Sequence, residues 1–250
     1  MNQRPSLQAF IADCEATGRL RDLWSLSLAF FHGRGVAMVS YHADVDLPED
    51  DVPSHEVHDG LIADGFPKDW ICQYIEGRLS RIDPFPDLAA KLMRPFRWSE
   101  ISRIADLTEE QKHYMDLRAK ADLGDGLAME VYGPNMRNAI VGLGFGTTSP
   151  ELSGQEILEL HCAAQMAHIR FCQLTSDRRQ VADLSPRELQ VLRWMAKGKS
   201  TTVIAEIMGI SRHTVDTMTR RVFDKLDVND RVSAALRGLG SGLLGQRDIA

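Results

Sequence analysis

The chain has 250 residues, 44% of them hydrophobic, and a formal net charge of -6. This length and composition allow one large or two modest globular domains with ordinary cores. A membrane protein is not expected, because no apolar run approaches the length of a membrane span and the N-terminus lacks a basic segment followed by an apolar one. The four cysteines include no C-x-x-C pair. We therefore expect a cytoplasmic protein with reduced thiols and no membrane partner.

The charge is unevenly distributed along the chain. Residues 177–250 contain 13 basic and 9 acidic residues, a net charge of +4, which leaves 16 basic and 26 acidic residues, a net charge of -10, in residues 1–176. A basic module suits contact with phosphate, and an acidic one does not. The asymmetry predicts two domains with different tasks and a boundary near residue 177.

The N-terminal third of the chain predicts helices around a strand. Residues 6–31 have apolar residues at helical spacing and predict one or two helices. Residues 36–42 have the pattern of a strand, whereas residues 43–67 contain many Asp, Glu, Pro and Gly and predict an irregular surface loop. Residues 68–81 again show helical spacing, and we expect that helix to end before Asp83-Pro84 because the residue before a proline avoids helical angles.

The middle of the chain predicts two more helices, a hairpin and a long helix. Helices are expected over residues 87–93 and 109–121. Short strands are expected over residues 127–132 and 139–145, joined by a turn rich in Gly, Pro and Asn. A long helix should cover residues 153–171.

Residues 173–183 are polar and charged, and we interpret them as a linker. A helix-rich start, at least three strands and a long closing helix predict an α+β fold for residues 1–172. The expected architecture is an α-β-α sandwich with a central antiparallel sheet.

Residues 184–250 predict short helices with clear end signals. Ser185 is placed to cap the first helix, and Glu188 completes a capping box with it. A second helix ends at Gly209, and Ser211 caps a third. Two helices joined by a short turn, the second with a polar face rich in arginine, are typical of a DNA-reading helix-turn-helix. A surface helix pair with solvated charges is the alternative interpretation.

Motifs in this segment resemble those of the LuxR-type DNA-binding domain. The matching stretches are Leu184-Ser-Pro-Arg-Glu-Leu, Val191-Leu-Arg-Trp, Gly198-Lys-Ser, Ile204-Ala-Glu-Ile, Gly209-Ile-Ser, Thr214-Val, Lys225-Leu, Val228 and Arg231. Two positions depart from the family, since Asp227 stands where glycine is usual and Met218 where histidine is frequent. Aspartate tolerates the left-handed conformation, so the turn should persist. The resemblance implies an all-α helix-turn-helix domain over residues 184–250 that binds double-stranded DNA.

The polar face of the third helix predicts how DNA is read. We expect Arg220 to pair with guanine, Asp216 to accept from cytosine, and Thr217 to contact a thymine methyl group or a base edge. Phosphate contacts are expected from a further set of side chains, namely Lys199, Thr201, Thr202, Arg212, Arg221 and Lys225.

Other motifs give no argument for an enzyme, a cofactor or a metal centre. Gly142-Leu-Gly-Phe-Gly146 differs from a dinucleotide loop because Thr147 stands where the third glycine belongs. Its small residues instead indicate close approach of another element or a ligand. Two pairs of histidines are close in sequence, namely His55 with His58 and His161 with His168. Neither pair has the further ligands that zinc or iron requires.

An aromatic set surrounds a single aspartate. Trp70 and Tyr74 are one helical turn apart, Asp83 follows nine residues later, and Trp98 fifteen after that. From spacing alone, a core with aromatic filling and a surface aspartate is preferred. An apolar pocket with one indole donor and one carboxylate acceptor is the other interpretation, and it would suit a small ligand with an amide.

Residues 15–172 also resemble the autoinducer-binding domain of LuxR-type quorum-sensing regulators. The residues that match in spacing are Trp70, Tyr74, Asp83, Pro84, Trp98 and Gly126. The resemblance implies an N-acyl homoserine lactone ligand, with Trp70 donating to the lactone carbonyl and Asp83 accepting from the ligand amide. Tyr74 and Trp98 would wall the pocket, and Phe66, Pro84 and Gly126 complete the set expected at the ligand site.

Two pocket positions depart from that family. Phe66 stands where many members have tyrosine, and Gly142 lies near where many have serine or threonine. Side chains at both positions can bond the acyl carbonyl in the family, and neither residue here carries a donor. We therefore expect a ligand with a longer, more apolar acyl chain, held chiefly by its lactone and amide.

Together these features predict a transcriptional regulator that binds a palindrome as a homodimer, and that contacts RNA polymerase if it is an activator. The expected dimer surfaces are the helices at residues 153–171 and 231–239. Alternatives are a regulator of the same family that needs no ligand or senses a different small molecule, and an enzyme with a regulatory tail. A response regulator is disfavoured because residues 6–31 look helical where its receiver would begin with a strand.

Overall fold

The computed structural model describes residues 5–43, 57–58, 60–176 and 183–248. These form two compact units, which divide near Leu174. None of the helices in the described part of the chain is both long enough and apolar enough to cross a membrane.

The first unit is built on a six-stranded sheet with the order β2-β3-β1-β6-β5-β4, and every neighbouring pair is antiparallel. The strands are β1 (Met38–Ala43), β2 (Val57–His58), β3 (Leu61–Asp64), β4 (Phe96–Arg97), β5 (Gly126–Val131) and β6 (Ala139–Gly144). Among the described residues, the α-helices of this unit are α1 (Leu7–Ala16), α2 (Leu20–His32), α3 (Lys68–Glu76), α4 (Pro84–Leu92), α5 (Ile101–Ile104), α6 (Glu109–Lys120) and α7 (Gly154–Ser176). The hairpin of β5 and β6 was predicted correctly.

The sheet separates two apolar cores because side chains alternate along each strand. On β1, Val39 and Tyr41 join α1, α2 and α7 in one core, whereas Met38 faces α3, α4 and α6 in the other. This is the predicted α-β-α sandwich with a central antiparallel sheet.

The segment predicted as an irregular loop, residues 43–67, contains two strands. β3 pairs with β1, with Ile62 opposite Tyr41, and Leu61–Ala63 are buried. The many acidic residues, prolines and glycines of the wider segment concealed this short apolar run. Residues 44–56 and 59 lie outside the described part of the chain.

Two helix boundaries also differ from the prediction. α3 ends at Glu76 because Arg78 takes a left-handed conformation with φ of 49°, and a separate 3-10 turn covers Leu79–Arg81. α4 begins at Pro84 and not at residue 87, since Asp83 is its N-cap and proline fits the first helical position.

α7 runs past the predicted end at residue 171. Residues 173–176, assigned to the linker from their polarity, continue the helix to Ser176. Residues 177–182 of the predicted linker lie outside the described residues. Elements β4 and α5 were not predicted, because each is too short to show a periodicity.

The second unit contains α8 (Pro186–Ala196), α9 (Thr201–Met208), α10 (Arg212–Leu226) and α11 (Arg231–Gly240). Side chains of Ser185, Ser200 and Ser211 cap the first three helices, and Ser185 forms the predicted capping box with Glu188. Asp227 adopts the left-handed conformation with φ of 52°, so the turn is kept without glycine as predicted. The core is formed by residues from all four helices, including Leu192, Ile204, Val215, Val222 and Ala234.

Candidate ligand-binding cavity and DNA-binding helix

A cavity lies in the first unit between the sheet and helices α3, α4 and α6. The space between its walls, open mouth included, is about 590 Å³. Five of the residues predicted to bind a ligand line it, namely Phe66, Trp70, Tyr74, Asp83 and Trp98. The fold therefore brings the predicted aromatic set and its aspartate to one site.

The other two predicted residues, Pro84 and Gly126, lie behind this lining. Pro84 is buried at the start of α4. A Cβ atom on Gly126 would lie 2.6 Å from the Cε3 atom of Trp98 and 2.6 Å from the carbonyl oxygen of Leu143. Glycine is thus needed for the close approach of the Trp98 ring, and both residues support the wall without forming its surface.

Three hydrogen bonds from the fold hold Asp83 at the cavity wall. Its Oδ1 atom accepts from the backbone N–H of Phe85 at 2.9 Å. Its Oδ2 atom accepts from the hydroxyls of Tyr74 at 3.0 Å and Tyr114 at 3.1 Å. Burial raises the pKa of Asp83 to about 6, although these hydrogen bonds act to lower it. The carboxylate is therefore mainly ionised at neutral pH and is a fixed acceptor in an apolar surrounding.

Trp70 lies one turn before Tyr74 on α3 and is 5% exposed. Its ring centre lies 6.2 Å from that of Tyr74 and 5.9 Å from that of Tyr114. The indole N–H has no hydrogen-bond partner among the described residues, and the side chain lines the cavity. Trp70 and Asp83 therefore line the same cavity, and the described residues leave the indole donor unused.

Two polar lining residues, Tyr114 and Arg118, were not predicted. The guanidinium of Arg118 lies 4.3 Å from the centre of the Trp98 ring and donates to the carbonyl oxygen of Gly124 at 2.8 Å. Burial lowers its pKa. Their four-residue spacing places both on one face of α6, but α6 is polar on most sides, so the sequence does not show which face is buried.

The floor of the cavity is a row of small residues that cross the sheet in register. Ser40 pairs with Ala63 on β3 and with Gly142 on β6, and Gly142 pairs with Ala128 on β5. All four line the cavity. These small side chains leave space above the sheet. The space agrees with the predicted close approach of another element or a ligand at Gly142.

His42 follows Ser40 on the same face of β1 and also lines the cavity. Burial lowers its pKa to about 4, so the imidazole is neutral at pH 7. Its ring centre lies 6.1 Å from that of Tyr74.

The histidines weighed as metal ligands have other partners where they are described. A ring nitrogen of His168 lies 2.7 Å from the hydroxyl of Tyr41, and one of His161 lies 3.3 Å from the carbonyl oxygen of Glu130. His55 and the side chain of His58 lie outside the described residues. No group of three or more metal-binding side chains occurs among the residues that are described.

The second unit presents the polar face of α10. Arg212, Asp216, Arg220 and Arg221 are exposed, and Val215, Val222 and Leu226 are buried. Thr217 is half-buried, and its hydroxyl donates to the carbonyl oxygen of His213 at 2.9 Å. Met218 packs against the core, as expected of an inner-face residue. The predicted base-reading residues thus share one accessible helix face.

Lys225 differs from the other residues predicted to contact phosphate. Its ammonium donates to the carboxylate of Glu188 at 2.8 Å and to the carbonyl oxygen of Asp183 at 2.7 Å. It therefore ties the end of α10 to the start of α8. Because its charge has a partner within the protein, we propose a structural role for Lys225, and its expected contact with phosphate stays a prediction.

Three of the other predicted phosphate contacts lie near the start of α9, whereas Arg212 and Arg221 are on α10. Thr201 and Thr202 occupy the first turn of α9, and Lys199 precedes it with an exposed side chain. Backbone N–H groups at a helix N-terminus suit an anion, so this placement is compatible with phosphate contact.

Comparison with known families matches both units. Residues 19–171 match the autoinducer binding domain, and residues 182–237 match the bacterial regulatory proteins of the luxR family. The chain belongs to the LuxR-type quorum-sensing regulators. Transcription regulation, DNA binding and a small-molecule autoinducer are the properties of this family, and both sequence resemblances are confirmed.

Two relatives are identical to this LuxR-type regulator at little more than a quarter of the aligned residues. The quorum sensing-dependent transcriptional regulator RpaR of Rhodopseudomonas palustris is 28% identical over 184 residues, 73% of this chain and 74% of RpaR. The transcriptional activator protein AnoR of Acinetobacter nosocomialis is 27% identical over 194 residues, 74% of this chain and 78% of AnoR.

The fold also matches a solved LuxR-type structure. The crystal structure of Escherichia coli SdiA aligns with a TM-score of 0.73 at 17% identity, covering 96% of this chain and 98% of SdiA. At this identity the likeness supports the fold alone, an α-β-α sandwich followed by a helical domain.

Proposed function

We propose that this regulator binds an N-acyl homoserine lactone in the cavity beside Asp83 and couples that binding to recognition of DNA. The observation that carries the proposal is one cavity, lined largely by aromatic and apolar side chains, that holds both the buried, hydrogen-bonded Asp83 carboxylate and Trp70, whose indole N–H has no partner among the described residues. An acyl lactone has an amide N–H, two carbonyls and an apolar chain, which are the groups that such a cavity complements.

The two polar groups have separate roles in this proposal. Among the described residues, Oδ2 of Asp83 accepts from two hydroxyls and Oδ1 from one backbone N–H. A carboxylate oxygen can accept twice, so Oδ1 is available to the ligand amide. The indole N–H of Trp70 donates to the lactone carbonyl. Tyr74, Trp98 and Phe66 enclose the lactone and the start of the acyl chain.

For the DNA-binding unit, we propose a homodimer whose two α10 helices enter successive major grooves of a palindrome. Arg220, Asp216 and Thr217 read bases, while Arg212 and Arg221 contact phosphates together with Lys199, Thr201 and Thr202. α7 and α11 supply the dimer surfaces. Val232 and Leu236 of α11 are 64% and 58% exposed in the single chain, which supports that use.

Ligand binding would act through stability. A ligand that binds only the folded state stabilises it by mass action, by about 2.7 kcal/mol at 100 times its dissociation constant. The ligand-bound regulator would then be more abundant and would dimerise and bind DNA in the cytoplasm.

The test uses the full chain, thermal unfolding and a panel of acyl lactones of different lengths. We expect stabilisation of the parent and a large loss of that stabilisation in Asp83→Ala. Asp83→Asn is the matched variant, because asparagine keeps the N-cap of α4 and the side-chain size while losing the charge. Absence of stabilisation of the parent by every acyl lactone would refute lactone binding.

A second candidate is a regulator of the same family that folds without a ligand or senses another small molecule. The three internal hydrogen bonds to Asp83 favour it, since the carboxylate is satisfied in the ligand-free protein. SdiA has been solved in complex with octanoyl-rac-glycerol, so an acylglycerol belongs in the panel. DNA binding of equal strength with and without every compound would favour the ligand-independent form.

A further inference from the structure

A single hydroxyl stands in the floor of the ligand cavity. In the row of Ala63, Ser40, Gly142 and Ala128, only Ser40 has a side chain that can form a hydrogen bond. Its hydroxyl has no partner within the described part of the chain. A donor that faces a cavity and is not used by the protein is available to whatever fills the cavity.

Ser40 occupies the space that a side chain at position 142 would fill. A Cβ atom built on Gly142 would lie 2.5 Å from the Oγ atom of Ser40. The two residues are direct cross-strand partners on β1 and β6. Glycine at 142 therefore makes room for the Ser40 hydroxyl, and the donor missing from β6 is present on the neighbouring strand.

The geometry of an amide explains what this donor would bind. In a trans amide the N–H and the C=O point in opposite directions. Asp83 belongs to the helical wall, where it is held by residues of α3, α4 and α6, and Ser40 belongs to the sheet. A ligand amide whose N–H points to Asp83 therefore directs its carbonyl oxygen towards the sheet.

We propose that Ser40 donates a hydrogen bond to the acyl carbonyl of the ligand and so fixes the position of the acyl chain on the cavity floor. This rests on the proposed binding of an N-acyl homoserine lactone. Its consequence is that the ligand is held by three polar contacts, and the acyl carbonyl is recognised despite Phe66 and Gly142.

Two other lining residues with hydrogen-bonding capacity are less well placed for this contact. Arg118 comes from α6, on the same wall as Asp83, and its guanidinium stacks on Trp98. His42 lies in the next row of the sheet, between Leu61 and Ile140, whose larger side chains flank it. Ser40 alone has neighbours small enough to let an amide approach its oxygen.

The experiment measures affinity by calorimetry with the full chain, one N-acyl homoserine lactone that binds the parent, and its analogue in which sulfur replaces the acyl oxygen. Sulfur is a weaker acceptor, so we expect the parent to prefer the oxygen ligand about fivefold. In Ser40→Ala this preference should fall to near one, and affinity for the oxygen ligand should drop about fivefold. A purely structural role would change both affinities together and keep their ratio.

Two further variants serve as controls. Ser27→Ala makes the same change on α2, at the opposite face of the sheet, where the hydroxyl bonds the carbonyl oxygen of Leu23, so ligand affinity should not change. The double variant Ser40→Gly with Gly142→Ser moves the hydroxyl across to β6 and should restore most of the oxygen preference.

The outcomes separate this inference from the proposed function. If the parent binds acyl lactones but Ser40→Ala keeps the full oxygen preference, the role of Ser40 is wrong and lactone binding stands. The same conclusion follows if Ser40→Ala loses affinity only for lactones with an added keto group on the chain. If the parent binds no acyl lactone, the proposed function fails, and the Ser40 contact fails with it.

Discussion

Replacing Lys225 by methionine separates folding from DNA binding in the helical unit. The change removes two charged hydrogen bonds, to Glu188 and to the Asp183 carbonyl oxygen. The side chain of Glu188 is 5% exposed and that of Lys225 is 40% exposed, so the ion pair lies partly in water. Water weakens the attraction between the two charges, and the ion pair therefore contributes less to stability than a fully buried one would. Glu188 still accepts from the backbone N–H of Ser185, so its carboxylate is not left without a partner.

From these contacts we expect Lys225→Met to lower the free energy of unfolding of the helical unit by roughly 1.5 kcal/mol. This corresponds to about a tenfold increase in the population of the open state from which amides exchange. Hydrogen exchange of the full chain, followed at the amides of α8 and α10, measures this directly. Arg221→Met is the matched control, because Arg221 is exposed on the same helix and has no ion-pair partner among the described residues. It should lower affinity for all DNA and leave exchange unchanged.

The opposite pattern would refute this assignment. If Lys225→Met left exchange at α8 and α10 unchanged and lowered affinity on specific and random duplexes as Arg221→Met does, Lys225 would contact phosphate as the sequence alone suggested. The Glu188 ion pair would then be a minor contact that DNA displaces.

Three further predictions concern other contacts. Arg220→Ala should lower affinity for the specific DNA site more than affinity for random DNA. Equal losses of affinity for the two DNAs would contradict base reading by Arg220. Gly126→Ala should lower the free energy of unfolding in urea by about 1–3 kcal/mol, because the new methyl group would meet the Trp98 ring and the carbonyl oxygen of Leu143. Gly18→Ala should have no such effect, because a Cβ atom at position 18 has no neighbour within 4 Å. The buried Asp83, whose pKa rises to about 6 on folding, contributes stability at low pH that is lost as pH rises from about 4 to about 6. The stability difference between the parent and Asp83→Asn should therefore vary with pH in that window, and a constant difference would show that the pKa of Asp83 is not raised.

The elements that the sequence predicted well have strong local signals. The helices of the second unit start at Ser185, Ser200 and Ser211 because each serine caps a backbone N–H, and this pattern is visible without tertiary structure. β3 was missed because its buried residues, Leu61–Ala63, are stabilised by pairing with β1, which no local pattern encodes. The same reason explains why Tyr114 and Arg118 were missed, since only packing against Asp83 and Trp98 shows which face of α6 is buried.

The prediction for Lys225 shows a related limit. Helical spacing correctly places it on the outer part of α10, away from Val222 and Leu226. Spacing cannot show that the same position is within 2.8 Å of a carboxylate that α8 buries at its N-terminus. A basic residue on the outer face of α10 can therefore have a partner within the protein, and that partner must be known before its mutation is interpreted.

Whether Phe66 and Gly142 leave the pocket without a donor for the acyl carbonyl depends on whether residues are compared by sequence position or by location in space. Position by position, this chain lacks the donors that other family members place on two elements of the pocket, and a more apolar ligand follows from that comparison. In space, a β6 glycine and a β1 serine are cross-strand partners, so a hydroxyl can move from one strand to the other with little displacement of its oxygen. If Ser40 binds the acyl carbonyl as proposed, a donor occupies the floor of the cavity from β1 and not from β6. The choice between an apolar and a polar acyl contact therefore rests on the neighbour of Gly142, which only the strand register reveals.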